Sequence, residues 1–138
     1  MNIDIDVQQT VTCSIDDAWG LIGPFEKMHD WFPGIAKFEY EGSGIGSVRH
    51  LTMPDGAIYS DQLTRENKYQ YSYAIVGGEV PFENYLATVS VIEDQDSTQL
   101  TYHVNIDVPE EHRQASVDLL TNMYKSAFEN SKEILEKS

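Results

Sequence analysis

The C-terminal stretch that decides the fold is PEEHRQASVDLLTNMYKSAFENSKEILEKS, residues 109–138. Its apolar residues recur at spacings of three and four, which is typical of one face of an α-helix. Charged residues fall mostly on the opposite face, and no glycine or proline follows Pro109. Pro109 suits the first helical position, and Asp107 is predicted to cap the free amides. The stretch predicts one amphipathic helix, about 40 Å long at 1.5 Å per residue, whose apolar face must pack against another element.

The partner of this helix is predicted to be a sheet, because the rest of the chain reads mainly as strands. Residues 1–13 alternate between apolar and polar side chains, as a half-buried strand does. Two short helices follow, one opened by a capping box at residues 14–17 and one by Pro24. From residue 35 onward, six more strands alternate with turn sequences. We therefore expect an α+β fold, a single domain over residues 1–138. A curved seven-stranded antiparallel sheet wraps around the long helix, and the two short helices lie between strands 1 and 2.

Composition argues against several classes of partner. The 9 Lys and Arg against 23 Asp and Glu give a net charge of −14, which disfavours nucleic acid and anionic membrane surfaces. The absence of a long apolar run predicts no membrane insertion, and we expect no secretory leader. Cys13 is the only cysteine, so no internal disulfide can form and a cytoplasmic location is predicted. The sequence does not decide whether the chain forms a homodimer.

The turn positions predict which side chains face inward. A hairpin centred on residues 54–56 places Arg49 opposite Asp61. The next two hairpins place Tyr73 opposite Asp61 on one side and opposite Tyr85 on the other. The inward face then carries an ion pair and several tyrosine hydroxyls, which a closed apolar core would rarely bury. We therefore predict that the sheet and the helix enclose a cavity with apolar walls, aromatic rims and one ion pair.

The sequence offers few catalytic groups. Arg49 and Asp61 form either a salt bridge that only holds two strands together or one that also contacts a ligand. The histidines lack metal-ligand spacing and no nucleophile motif occurs, so neither a metal site nor a cofactor is predicted. Asp61 is the candidate catalytic residue, acting with a tyrosine hydroxyl. Glu83 has the inward parity and is a weaker second carboxylate.

Several segments resemble a known superfamily in their order and spacing. These segments are residues 46–49, 61–63, 76–79, 84–85 and 106–110. Together with the predicted order of elements, they make nearly the whole chain resemble the START/polyketide-cyclase (SRPBCC) superfamily. Within it, the chain is most similar to polyketide cyclase/dehydrase-like proteins and to plant abscisic acid receptors. The resemblance implies a helix-grip fold around a ligand cavity.

The receptor pocket, carried over by position, implies lining residues that the inward face also predicts. With Arg49 added, the predicted ligand-binding residues are Arg49, Leu51, Met53, Tyr59, Asp61, Tyr73, Ile75, Tyr85, Ala87, Tyr102, Leu120, Tyr124 and Phe128. The chain departs from the receptors at their gate loop (residues 54–57) and their latch (residues 80–82). It also has Phe32 in place of their anchoring lysine and Tyr102 in place of their pocket glutamate. These departures argue against a hormone-receptor function.

The sequence predicts binding or transport of a small hydrophobic molecule, aromatic or polycyclic, in the internal cavity. The alternative is a polyketide cyclase/aromatase or dehydratase that acts on a ligand held in the same cavity. Asp61 and a tyrosine hydroxyl would then exchange protons with the substrate. The sequence does not name the ligand or decide between carriage and catalysis. A third class, a protein-interaction module, has little support.

Overall fold

A computed structural model describes residues 1–78, 80 and 82–137 of the 138-residue chain. The seven strands are β1 Asn2–Val11, β2 Lys37–Glu41, β3 Val48–Thr52, β4 Ile58–Asn67, β5 Gln70–Gly78, β6 Glu83–Asp94 and β7 Ser97–Asp107. They form one antiparallel sheet in the order β1-β7-β6-β5-β4-β3-β2. The predicted curved sheet of seven strands is confirmed.

Four helical segments complete the fold. They are α1 Ile15–Ile22, a 3-10 helix Phe25–Asp30, a 3-10 helix Glu110–His112, and α2 Arg113–Lys137. The first two lie between β1 and β2, as predicted. Ser14 caps α1, because its hydroxyl accepts a hydrogen bond from the Asp17 amide at 3.1 Å, and such a cap contributes about 1 kcal/mol. No helix among the described residues is both long and apolar enough to cross a bilayer.

The start of the C-terminal helix differs from the prediction. The chain makes the 3-10 turn Glu110–His112 before α2 begins, instead of entering one helix at Pro109. Asp107 does not cap it, since β7 continues through this residue and its carboxylate accepts a hydrogen bond from Asn84 at 2.7 Å. The last residue of the predicted helix, Ser138, lies outside the described residues.

α2 packs its apolar face against the sheet and the short helices. Its buried residues recur at helical spacing: Ser116, Leu120, Tyr124, Ala127, Phe128, Ser131 and Leu135. Phe128 is fully buried and stacks on Trp31, with ring centroids 6.0 Å apart. Full burial of one such side chain contributes about 1.5–3 kcal/mol. Burial of the apolar face therefore stabilises the packing of α2 against the sheet.

The β3–β4 hairpin has the predicted register, whereas the two following hairpins are displaced. Arg49 pairs with Asp61, as predicted. Tyr73 pairs with Leu63 instead of Asp61, and with Ala87 instead of Tyr85. Both displacements are of two residues, so each side chain keeps its predicted face of the sheet.

The displacement in the β4–β5 hairpin has a local cause. Asn67 pairs with Gln70, so only two residues close the turn, and Tyr69 takes a positive φ of 66° there. This pairing alone would set inward residues of one strand opposite outward residues of the other. A bulge between Leu63 and Arg65 adds one residue and restores the match.

Candidate functional site

The buried ion pair joins β3 to β4. Arg49 Nε donates to Asp61 Oδ2 at 3.0 Å, and the two side chains are 0% and 4% exposed. Arg49 Nη1 also donates to the Phe25 carbonyl at 3.1 Å and to the Tyr71 hydroxyl at 3.4 Å. The Phe25 ring lies 4.1 Å from the guanidinium carbon. Arg49 is thus enclosed by the 3-10 helix Phe25–Asp30 and by β5. Asp61 keeps slight access to the cavity.

Among the described residues, Asp61 is the carboxylate of the cavity wall. Burial raises the pKa of its carboxyl, and the charge of Arg49 acts in the opposite direction. Oδ2 is bonded to Arg49, whereas Oδ1 has no hydrogen bond among the described residues. One carboxylate oxygen is therefore available to a molecule in the cavity.

Four tyrosines from the sheet and α2 form a hydrogen-bonded group, which we call the tyrosine cluster: Tyr73, Tyr85, Tyr102 and Tyr124. The Tyr73 hydroxyl bonds to that of Tyr85 at 3.0 Å and also to that of Tyr124. The Tyr85 hydroxyl bonds in turn to that of Tyr102 at 2.7 Å. The rings of Tyr102 and Tyr124 stack at 3.5 Å between centroids. The cluster joins β5, β6, β7 and α2 at one place.

The hydroxyls of the tyrosine cluster are neutral. Burial raises the pKa of each of the four phenols well above the ordinary value near 10. They can donate and accept hydrogen bonds at physiological pH, but they cannot act there as phenolate bases. A general base at this site would therefore have to be Asp61.

A small cavity lies between the sheet and α2, beside the ion pair and the tyrosine cluster. Its lining residues are Met28, Phe32, Leu51, Met53, Tyr59, Asp61, Tyr73, Ile75, Phe82, Tyr85, Leu120, Met123 and Tyr124. Its volume is about 30 Å³, room for a water-sized molecule, whereas ligand pockets commonly measure about 300–1,000 Å³. The cavity expected from the sequence is therefore mostly filled. Aromatic and methionine side chains occupy its volume, and the phenols bond to one another.

Part of the lining consists of flexible or half-buried side chains. Methionine, present as Met28, Met53 and Met123, is a flexible side chain that fills irregular spaces. Met53 and Met123 are also only half-buried, as are Tyr59 and Ile75. A molecule larger than water would have to displace this part of the wall.

Most of the predicted site residues line this cavity, and four do not. Arg49, Ala87, Tyr102 and Phe128 are each 0% exposed and lie behind the lining. Arg49 is covered by Phe25, Tyr102 by the stacked ring of Tyr124, and Phe128 by Trp31. Inward parity places a side chain on the core side of the sheet but does not distinguish cavity wall from solid core. Ligand contact by the lining residues stays a prediction.

The predicted ligand-binding residues omitted Met28, Phe32, Phe82 and Met123, which also line the cavity. Met28 and Phe32 lie four residues apart in the segment between β1 and β2, and the resemblance already places Phe32 at the position of the receptors' anchoring lysine. Phe82 lies just before β6, where no strand register applies. Met123 is three residues from Leu120, on the same face of α2.

The prediction that Glu83 is a second carboxylate facing the cavity is wrong. Glu83 is exposed and lies on an outer groove beside Asp107, away from the cavity. The ladder between β6 and β7 is irregular from Glu83 to Leu86, which breaks the alternation that the parity assumed. Among the described residues, no three His, Cys, Asp or Glu side chains are grouped to hold a metal ion.

Solved structures with the same architecture come from several organisms. The protein XoxI from Bacillus cereus is 24% identical, with a TM-score of 0.88 over 96% of this chain and 94% of that one. An uncharacterized protein from Bacillus thuringiensis is 23% identical, with a TM-score of 0.87 over 96% and 98%. Norcoclaurine synthase from Thalictrum flavum, in complex with dopamine and hydroxybenzaldehyde, is 22% identical, with a TM-score of 0.79 over 100% and 89%. At these identities the likeness establishes the helix-grip fold.

The fold and the cavity between sheet and helix define a small-molecule-binding class of protein. Within that class, the chain belongs to the family described as polyketide cyclase / dehydrase and lipid transport, whose model matches residues 2–138. No curated protein matches the sequence significantly.

Proposed function

We propose that this protein binds or transports a small hydrophobic molecule, aromatic or polycyclic, in the cavity between the sheet and α2. The observation that carries the proposal is the composition of the wall, in which aromatic, methionine and aliphatic side chains predominate and the polar groups are Asp61 and four tyrosine hydroxyls. Pockets of this kind bind apolar ligands and use their polar groups for orientation. The family description includes lipid transport, and the similar norcoclaurine synthase was solved with two aromatic compounds; both support the proposal.

The electrostatics favour an uncharged ligand. Asp61 neutralises Arg49, which lies behind the lining, and no Lys or Arg lines the cavity among the described residues. The cavity therefore lacks a free cation for an anionic ligand. A cationic ligand would have to compete with Arg49 for Asp61.

Ligand uptake should be blocked by a large side chain on the helix wall of the cavity. Leu120 is 4% exposed and lines the cavity, whereas its neighbour Leu119 is 40% exposed. We expect Leu120→Trp to weaken binding of the uncharged dye Nile red about 5- to 150-fold, because overfilling a packed site costs about 1–3 kcal/mol. Fluorescence titration measures the affinity.

The matched control is Leu119→Trp, which adds the same ring outside the cavity and should bind Nile red like the wild-type protein. Equal affinities for the two variants would place the dye elsewhere. A wild-type protein with no saturable uptake of Nile red would contradict the proposed function.

A second candidate function is catalysis of a dehydration or cyclisation, which the free Oδ1 of Asp61 beside neutral phenols favours. In the dehydration of a β-hydroxy ketone, Asp61 would take the α-proton and a phenol would give its proton to the departing hydroxyl. The substrate C–H and C–O bonds and the phenol O–H bond break, while a C=C bond and an O–H bond of the released water form. Transfer of the proton from Asp61 to the phenolate then restores both groups. The positioned pair would supply general acid and base in one apolar site.

The test of catalysis is the turnover of a model aryl β-hydroxy ketone, followed by the absorbance of the conjugated product. Asp61→Asn should lower the rate about 10²–10⁴-fold while Nile red binding persists. Both are measured where circular dichroism shows the variant folded, because asparagine can accept a hydrogen bond from Arg49 but leaves its buried charge unpaired. If Asp61→Asn kept the full rate, or if the wild-type protein showed no turnover, catalysis would be rejected and binding or transport would be the remaining function. The single-domain organisation, the cytoplasmic location and the homodimer stay predictions.

A further inference from the structure

The hydroxyl hydrogens of the tyrosine cluster outnumber its internal hydrogen bonds. Its four hydroxyls form three bonds in one row, in the order Tyr124, Tyr73, Tyr85 and Tyr102. Each hydroxyl carries one hydrogen, and each internal bond uses one. One hydrogen is left to donate outside the cluster, whichever way the bonds run.

The surroundings decide where this spare hydrogen lies. Tyr102 is 0% exposed and does not line the cavity. Its hydroxyl bonds only to Tyr85 among the described residues. A spare hydrogen on Tyr102 would be buried without an acceptor, at a cost that can exceed a tenfold change in population.

The other three members of the cluster offer the hydrogen a better place. Tyr73, Tyr85 and Tyr124 all line the cavity. A hydrogen on any of them can be directed to an acceptor inside it. In the ligand-free protein the cavity has room for a water molecule that accepts it. The favoured arrangement therefore presents one hydroxyl donor to the cavity.

We infer that the cavity selects uncharged aromatic molecules with a hydrogen-bond acceptor, such as a carbonyl oxygen, and that the tyrosine cluster donates to this acceptor. This inference rests on the proposed function, because it names the ligand class of the same site. A ketone reproduces the hydrogen bond of the water it displaces, whereas a hydrocarbon of the same shape leaves the donor unpaired. Since the phenols stay neutral, the donor persists throughout the physiological pH range.

The experiment compares fluorenone with fluorene, two flat tricyclic molecules that differ by the carbonyl group. Displacement of Nile red gives both affinities for the wild-type protein and for the variant Tyr73→Phe/Tyr85→Phe/Tyr124→Phe, which lacks every cavity-lining hydroxyl of the cluster. The ratio of ketone affinity to hydrocarbon affinity should be about tenfold higher for the wild-type protein. Comparing this ratio between the two proteins cancels the different solubilities of the two molecules in water.

The matched control is Tyr102→Phe. It removes a hydroxyl of the cluster that does not line the cavity and leaves three hydroxyls joined by two bonds, again with one spare hydrogen. Its affinity ratio should equal that of the wild-type protein. If the triple variant does not fold, the infrared carbonyl stretch of fluorenone bound to the wild-type protein decides. A frequency below that in hydrocarbon solvent supports the inference.

Three results would overturn the inference and leave the proposed function intact. The first is an equal affinity ratio in the wild-type protein and the folded triple variant, and the second is a bound carbonyl frequency equal to that in hydrocarbon solvent. The third is saturable uptake of Nile red without any binding of fluorenone. A protein that takes up none of the three molecules would overturn both.

Discussion

Replacing Arg49 by methionine is expected to lower the free energy of unfolding by about 3–5 kcal/mol. The substitution leaves the Asp61 carboxylate buried without its cationic partner, and only 4% of that side chain is exposed to water. It also removes the donor that satisfies the Phe25 carbonyl and the Tyr71 hydroxyl. Urea denaturation followed by circular dichroism measures the loss.

Two controls separate the buried charge from the loss of a long side chain. The double variant Arg49→Met/Asp61→Leu removes both charges and should recover most of the lost stability, because no unpaired ion remains. Lys37→Met breaks the exposed pair with Glu39, 3.1 Å apart, and should change the free energy by less than about 1 kcal/mol. An Arg49→Met protein as stable as the wild type would show that the pair adds nothing.

Alkaline pH is expected to unfold the protein steeply from about pH 10 upward. Because burial raises the pKa of the four cluster tyrosines well above the value near 10 of an exposed phenol, the unfolded chain ionises first. Their contribution to stability is therefore complete below about pH 10 and is lost as the pH rises beyond it. Each phenol accounts for about 1.4 kcal/mol per pH unit, so the four phenols together lower the stability by about 6 kcal/mol between pH 10 and pH 11.

Near-ultraviolet absorbance of tyrosinate and far-ultraviolet circular dichroism, recorded through the same titration, test this expectation. The cluster phenols should ionise in the same cooperative step in which secondary structure is lost. The half-buried Tyr40, Tyr59 and Tyr69, which lie outside the cluster, provide the internal reference. Reversible ionisation of all eight tyrosines near pH 10 in a protein that stays folded would contradict the burial of the cluster.

The predictable part of the site came from short hairpins. The ion pair was placed correctly because the turn between β3 and β4 is short and regular, so counting outward from residues 54–56 brings Arg49 opposite Asp61. Counting failed at Tyr73, where the bulge before Arg65 adds a residue that no composition rule reveals. The face of Tyr73 was still correct, because the error was of two residues.

The sequence alone determined the architecture and the inward face of this protein. Alternation along the strands and three-to-four spacing along α2 are local properties of the chain, and burying both apolar faces requires the sheet and the helix to pack together. The long-range arrangement decided the rest. It set which inward residues line the cavity, which lie in solid core behind it, and how small the cavity is. Those outcomes depend on how side chains from distant segments fill a shared volume, as Phe82 and Tyr124 do here, and no local pattern records that packing.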